Sequence, residues 1–114
     1  MDEKFKIIIM IKRLIDDYDN LTFNSKNELN VKDSVLKESY EILKITYIAN
    51  DSYNKTKKQE LQIMLLSKIK YLEYLTSKLN INEKEYNVYL YKLNMISKYI
   101  QNWIKYTNNL GVKS

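Results

Sequence analysis

The sequence predicts an all-α protein: an up-down-up-down antiparallel four-helix bundle that forms a single domain over residues 1–114. Along four segments, apolar residues recur at the 3.6-residue period of an α-helix, which places them on one face of each segment. The chain has no proline and a single glycine, Gly111, which we expect to cap the last helix. A chain of 114 residues is long enough for one domain with a modest core.

The first segment predicts a helix that starts at Asp2 and Glu3 and ends within residues 18–20. Acidic side chains stabilise a helix start because they complement the positive end of the helix dipole. Apolar residues surround the helix over residues 7–11, so we expect a neighbouring subunit as well as the core to cover it. The expected buried residues are Phe5, Ile8, Ile11, Ile15 and Tyr18, with Ile7, Leu14 and Met10 beside them.

Residues 20–30 are rich in Asn and Ser and predict an irregular segment that Leu21 and Phe23 attach to the bundle. The second helix is expected to start at residue 29 or 30, with Asn30 as its cap. A turn at residues 50–54 follows this helix. The expected buried face of the helix consists of Leu36, Tyr40, Leu43 and Tyr47, flanked by Val35, Ile42, Ile45 and Ile48.

Residues 57–106 show the clearest pattern, two long amphipathic helices joined by a short turn. In that turn, Asn82 and Glu85 have the spacing of a capping box, and Ile81 and Tyr86 have the spacing of a hydrophobic staple. A connection this short makes the two helices antiparallel neighbours. The expected buried residues are Leu61, Leu65, Ile69, Leu72, Leu75 and Leu79, then Tyr86, Tyr89, Leu90, Leu93, Ile96, Ile100 and Trp103.

The composition excludes several classes of site. With no cysteine and no histidine, the chain cannot form disulfides or use thiol chemistry, imidazole catalysis or the usual Cys/His zinc sites. The acidic run Asp16, Asp17 and Asp19 lacks the spacing of a calcium loop, so we interpret it as a charged helix end or as a partner for lysines of a neighbour. The sequence contains no catalytic or phosphate-loop motif, so we expect no enzyme activity, no metal and no cofactor.

The longest apolar run, residues 7–11, is closed by Lys12 and Arg13. Five residues are too few for a membrane span or for the core of a signal peptide. The sequence therefore predicts a soluble cytoplasmic protein with no membrane partner.

The net charge of +5 is distributed unevenly along the chain. Residues 1–50 hold 8 Lys/Arg and 9 Asp/Glu, whereas residues 51–114 hold 11 Lys and 5 Asp/Glu. A basic half on a neutral chain favours a polyanionic partner, although a lysine surface that only keeps the protein soluble explains the same charge.

On the last helix, Lys84, Tyr91, Lys98 and Lys105 follow one another at a spacing of seven, which places them on one line away from the core face. Lysines can contact phosphates and interleaved tyrosines can stack on exposed bases, although an ordinary solvated helix face has the same pattern. The candidate nucleic-acid-binding residues are Lys55, Lys57, Lys58, Lys68, Lys70, Lys92, Lys98 and Lys105.

A family resemblance is carried by the apolar spacing of residues 30–106, the Ala49-Asn50 helix end, the turn at residues 83–86 and the Trp103–Lys105 ending. In these features the chain resembles the four-helix-bundle accessory variability determinants of diversity-generating retroelements, which are related to proteins encoded in ribosomal RNA intervening sequences. The chain departs from that family in having one arginine, Arg13, where relatives are often arginine-rich. Lysine lacks the bidentate fork of arginine for phosphate and base contacts.

The resemblance implies a homopentameric barrel of four-helix bundles with a basic surface that binds RNA or DNA without strong sequence preference. It also implies a reverse transcriptase partner during mutagenic copying of a template RNA. The family's basic residues would correspond here to Lys57, Lys58, Lys68, Lys70, Lys98 and Lys105.

Three hypotheses for function follow from the sequence. The first is a nucleic-acid-binding accessory protein of a reverse transcriptase in a diversity-generating retroelement. The second is a non-catalytic structural or oligomerisation adaptor that binds a protein partner, with lysines that only solubilise it. The third is a toxin-like or antitoxin-like element of a mobile region.

Overall fold

The computed structural model describes residues 3–110 and shows four α-helices there, with no strand among the described residues. Helix α1 spans Glu3–Asp19, α2 spans Lys26–Asp51, α3 spans Lys55–Ser77 and α4 spans Glu83–Asn109. Consecutive helices pack against each other, and α1 also packs against α4. This is the predicted up-down-up-down four-helix bundle. The expected caps Asp2 and Gly111 lie outside the described residues.

Helix α1 ends at Asp19, within the predicted range. Its core line is centred on Ile7, Ile11, Leu14 and Tyr18, all of which are buried. The prediction that Phe5 is buried is wrong, because this line turns the Phe5 ring toward solvent, where it is 49% exposed. Most of the apolar surface of α1 is therefore covered by the protein's own bundle.

Helix α2 starts three or four residues earlier than predicted, and Ser25 caps it instead of Asn30. The Ser25 hydroxyl oxygen accepts a hydrogen bond from the backbone N–H of Glu28 at 3.1 Å and donates one to the Glu28 carboxylate at 2.9 Å. Ser and Glu three residues apart form a capping box, so the Asn-rich stretch around them is helical from Lys26 onward. Leu21 and Phe23 pack on the core from the preceding segment, as predicted.

The predicted centre of the buried face of α2 is wrong. Tyr40, Tyr47 and the flanking Ile48 are exposed, and Ser39 and Thr46 lie in the core. The hydroxyl of Ser39 donates to the carbonyl oxygen of Val35 at 2.7 Å, and Thr46 makes the corresponding bond one helical turn back at 2.8 Å. Because each hydroxyl is satisfied within the helix, these small polar residues can be buried at little cost.

The α3–α4 hairpin matches its prediction closely. Asn82 caps α4, since its side-chain oxygen accepts from the backbone N–H of Glu85 at 2.8 Å and its amide donates to the Glu85 carboxylate at 2.9 Å. Leu75, Tyr86 and Leu90 are only partly buried. The predicted residues that are buried are Leu61, Leu65, Ile69, Leu72, Leu79, Tyr89, Leu93, Ile96, Ile100 and Trp103.

Two tyrosines connect three of the helices inside the core. The Tyr18 hydroxyl lies 2.6 Å from the Thr76 hydroxyl, which itself donates to the carbonyl oxygen of Leu72 at 2.7 Å. Thr76 has one proton to donate, so Tyr18 is the donor between the two hydroxyls. The Tyr18 and Tyr89 rings are stacked with centroids 4.6 Å apart. Burial raises the pKa of Tyr89 to about 12 and that of Tyr18 further.

The cap of α2 gives a first test of the fold. Ser25→Ala removes the oxygen that accepts from Glu28, so we expect the free energy of unfolding to fall by about 1 kcal/mol in urea titrations. Asn30→Ala is the matched control, since Asn30 lies exposed inside α2 and alanine is at least as good a helix former. Equal losses of stability in the two variants would contradict the observed helix start.

The buried tyrosines predict a loss of stability in alkaline solution. Because the pKa of Tyr89 is raised in the folded state, the unfolded chain loses its Tyr89 proton first as the pH rises above about 10. The contribution of the neutral Tyr89 side chain to the free energy of unfolding is complete below about pH 10 and is lost as the pH approaches 12. Tyr89→Phe keeps the ring but has no proton to lose. We therefore expect its free energy of unfolding to fall by roughly 1 kcal/mol less than that of wild type between pH 9 and pH 11.

Urea unfolding at the two pH values measures this difference. Tyr40→Phe is the control, because the Tyr40 ring is 55% exposed. If Tyr89→Phe loses as much stability between pH 9 and pH 11 as wild type does, the raised pKa of Tyr89 is not the cause of the alkaline loss.

Candidate nucleic-acid interface

Three of the candidate lysines lie at the start of α3, where Asn54 caps the helix by accepting from the backbone N–H of Lys57 at 2.9 Å. The ammonium group of Lys55 donates to the carbonyl oxygens of Leu110 at 2.6 Å and Asn108 at 3.3 Å. A cation is stabilising at the negative end of a helix dipole, so Lys55 closes the end of α4. Lys57 is exposed and Lys58 is half-buried, and neither forms an ion pair with any described residue.

Two other candidate lysines are neutralised by carboxylates of neighbouring helices. The Lys68 ammonium lies 3.1 Å from the Glu38 carboxylate, which joins α3 to α2. The Lys92 ammonium lies 2.6 Å from the Asp17 carboxylate, which joins α4 to α1 and involves one residue of the acidic run. These lysines add no net positive charge to the surface, so they are weaker candidates than sequence position alone indicated.

The remaining candidates lie on the outer surface of α3 and α4. Lys98 and Lys105 are exposed on α4, together with Lys84 of the same seven-residue series, and Lys70 is exposed on α3. None of these four lysines forms an ion pair with a side chain of residues 4–110. From residue 86 to residue 110 the sequence contains three lysines and no Asp or Glu, so no carboxylate of α4 beyond its first turn offsets this charge.

Neutral hydrogen bonds set the register of α3 against α4. The Gln59 amide donates to the side-chain oxygen of Asn108 at 2.8 Å, and the buried Gln62 amide donates to the hydroxyl of Thr107 at 2.8 Å. Counting along the antiparallel helices from these two pairs places Lys70 level with residues 97–99. Lys70 and Lys98 therefore lie at the same height on adjacent helices. Together with Lys105 we call them the α3–α4 lysine surface.

A second surface, which the sequence did not predict, is the exposed apolar side of α3. Ile63, Met64, Tyr71 and Tyr74 on this helix are each about half exposed, at 59%, 45%, 53% and 56%. The Tyr71 and Tyr74 rings stack with centroids 6.5 Å apart. The signal in the sequence was that apolar residues lie on both sides of α3, since Ile63 and Met64 follow directly after the buried pair at positions 61 and 62.

Within residues 3–110, no three acidic side chains converge to hold a metal ion. None of the four helices combines the length and the apolar character needed to cross a membrane.

Comparisons with protein-family models, with curated proteins and with solved structures found no significant match. The resemblance to retroelement accessory proteins therefore stays a prediction.

Proposed function

We propose that this protein binds nucleic acid through the α3–α4 lysine surface and acts without catalysis as an accessory protein of a reverse transcriptase. The observation that supports the proposal is the outer line of α4, where Lys98 and Lys105 are exposed and no carboxylate occurs from residue 86 to residue 110. A helix face with uncompensated positive charge attracts a phosphate backbone at long range and holds it by contact.

The chemistry of lysine favours binding with weak sequence preference. A lysine ammonium contacts phosphate as a point charge, whereas base recognition in grooves commonly uses the bidentate fork of arginine. The only arginine, Arg13, lies on α1 and not on the α3–α4 lysine surface. The proposed ligand is therefore RNA or DNA held mainly by its backbone.

The reverse transcriptase partner and the homopentamer rest on the family resemblance. The exposed lysines are compatible with a homopentamer, because a ring of identical copies repeats the α3–α4 lysine surface in each copy. Several weak phosphate contacts on one nucleic acid then combine into tight binding. A neighbouring reverse transcriptase gene with a variable-repeat pair would support this part of the proposal, and its absence would count against it.

Charge reversal tests the surface directly. We expect Lys98→Glu combined with Lys105→Glu to weaken binding of a structured RNA by about tenfold or more at low salt, measured by fluorescence anisotropy. The matched control is Lys37→Glu with Lys44→Glu, a pair of exposed lysines with the same spacing of seven on α2. Because both variants change the net charge equally, equal losses of affinity would contradict a localised site.

Salt dependence tests the mechanism. If phosphates are neutralised, the logarithm of the association constant falls linearly as the logarithm of the salt concentration rises. Removing two phosphate contacts with Lys98→Ala and Lys105→Ala should make that slope shallower by about 1.4 for a single strand. Binding that does not respond to salt, or no binding at low salt, would refute the proposal.

The adaptor function remains the second candidate, because the exposed apolar side of α3 is a surface suited to a protein partner or to another copy. Sedimentation velocity separates the two candidates when it is combined with the anisotropy measurement. The adaptor function predicts that Ile63→Ser with Met64→Ser dissociates an assembly, that Lys98→Glu with Lys105→Glu leaves it intact, and that the wild type does not bind RNA.

A further inference from the structure

We propose that the outer face of α4 is selective for single-stranded nucleic acid, because Tyr91 and Tyr106 provide rings on which unpaired bases stack. This inference rests on the proposed function and adds the class of ligand that the site selects. Stacking needs a base face that is free of its neighbours, which single strands offer and duplexes withhold.

The two tyrosines differ from most others in the protein. Each is 66% exposed, so more than half of its surface is open to solvent. Among the described residues, neither ring is stacked on another ring or covered by a lysine ammonium, whereas Tyr47 and Tyr74 each lie beneath a lysine. The faces of Tyr91 and Tyr106 are therefore open to a ligand.

A shallow depression beside Tyr91 has the chemistry of a nucleobase site. The half-exposed Val88 gives it an apolar lining, and the Asn87 amide can pair with a base edge. Lys84 stands in the same depression, where its ammonium can meet a phosphate. Glu83 also borders it, but this carboxylate lies in the first turn of α4, where the helix dipole offsets part of its charge.

The spacing along α4 fits an extended strand. Tyr91 and Tyr106 are fifteen residues apart, which is roughly 22 Å along the helix axis. Lys98 and Lys105 lie between the two rings, so phosphates that join the stacked bases run past ammonium groups. In a duplex the paired bases stay stacked on one another, and only its phosphates would be available to this face.

The test compares three ligands of known chemistry with the full chain. These are a twelve-nucleotide oligodeoxythymidine, an abasic deoxyribose-phosphate strand of the same length and charge, and a duplex of the same length. We expect the oligodeoxythymidine to bind about tenfold to a hundredfold more tightly than the abasic strand, since each of the two stacked bases is worth roughly tenfold. We also expect it to bind more tightly than the duplex.

Variants assign the difference to the two rings. Tyr91→Ala with Tyr106→Ala should weaken oligodeoxythymidine binding by about tenfold to a hundredfold and leave abasic binding unchanged. Tyr91→Phe with Tyr106→Phe should bind oligodeoxythymidine about as tightly as wild type, because phenylalanine keeps the stacking face. Tyr40→Ala is the control, an exposed tyrosine on α2.

The possible failures are distinct. Equal binding of the base-bearing and abasic strands, or tighter binding of the duplex, overturns the stacking inference and leaves phosphate binding in place. Failure of all three ligands to bind at low salt overturns the proposed function together with this inference. Because both tyrosines are largely exposed, their substitution should leave the helical circular dichroism and the melting temperature unchanged.

Discussion

The hydrogen bond from Tyr18 to Thr76 is the constraint on which the rest of the structure depends. It connects α1 to α3, which lie on opposite corners of the bundle, while the stacked Tyr89 ring connects α1 to α4. A buried hydroxyl without a partner would cost a few kcal/mol, so sliding any of these three helices along its axis is penalised. The relative heights of α1, α3 and α4, and hence of their outer faces, are set by this contact together with the Gln59–Asn108 and Gln62–Thr107 hydrogen bonds.

The three seams described above use different chemistry to join neighbouring helices. The α2–α3 seam carries the Lys68–Glu38 ion pair and the α1–α4 seam carries the Lys92–Asp17 pair, so positive charge is cancelled along both. The α3–α4 seam instead uses the neutral Gln59–Asn108 hydrogen bond. The contact between α3 and α4 therefore uses no carboxylate and cancels no charge. Lys70, Lys98 and Lys105, which form no ion pair with the side chains of residues 4–110, lie on the two helices that it joins.

The sequence was sufficient for the α3–α4 hairpin, because the cap at Asn82 is a local signal and the apolar period is long. It was misleading for α2, where Ser39 and Thr46 look polar by type yet are satisfied by their own helix. Exposure of Lys98 and Lys105 was likewise predictable from spacing. The partners of Lys68 and Lys92 were not, since Glu38 and Asp17 are distant in sequence and meet only through the tertiary register.

The contacts of Lys55 have a consequence for how affinity varies along the bundle. This ammonium shields two backbone carbonyls at the carboxyl end of α4. A phosphate that recruited Lys55 would leave those oxygens to be rehydrated and would loosen the terminal turn, whereas a phosphate at mid-helix displaces only solvent. Ligand occupancy should thus begin near the middle of α4 and extend toward its carboxyl end only when enough polyanion is present to offset that local unwinding.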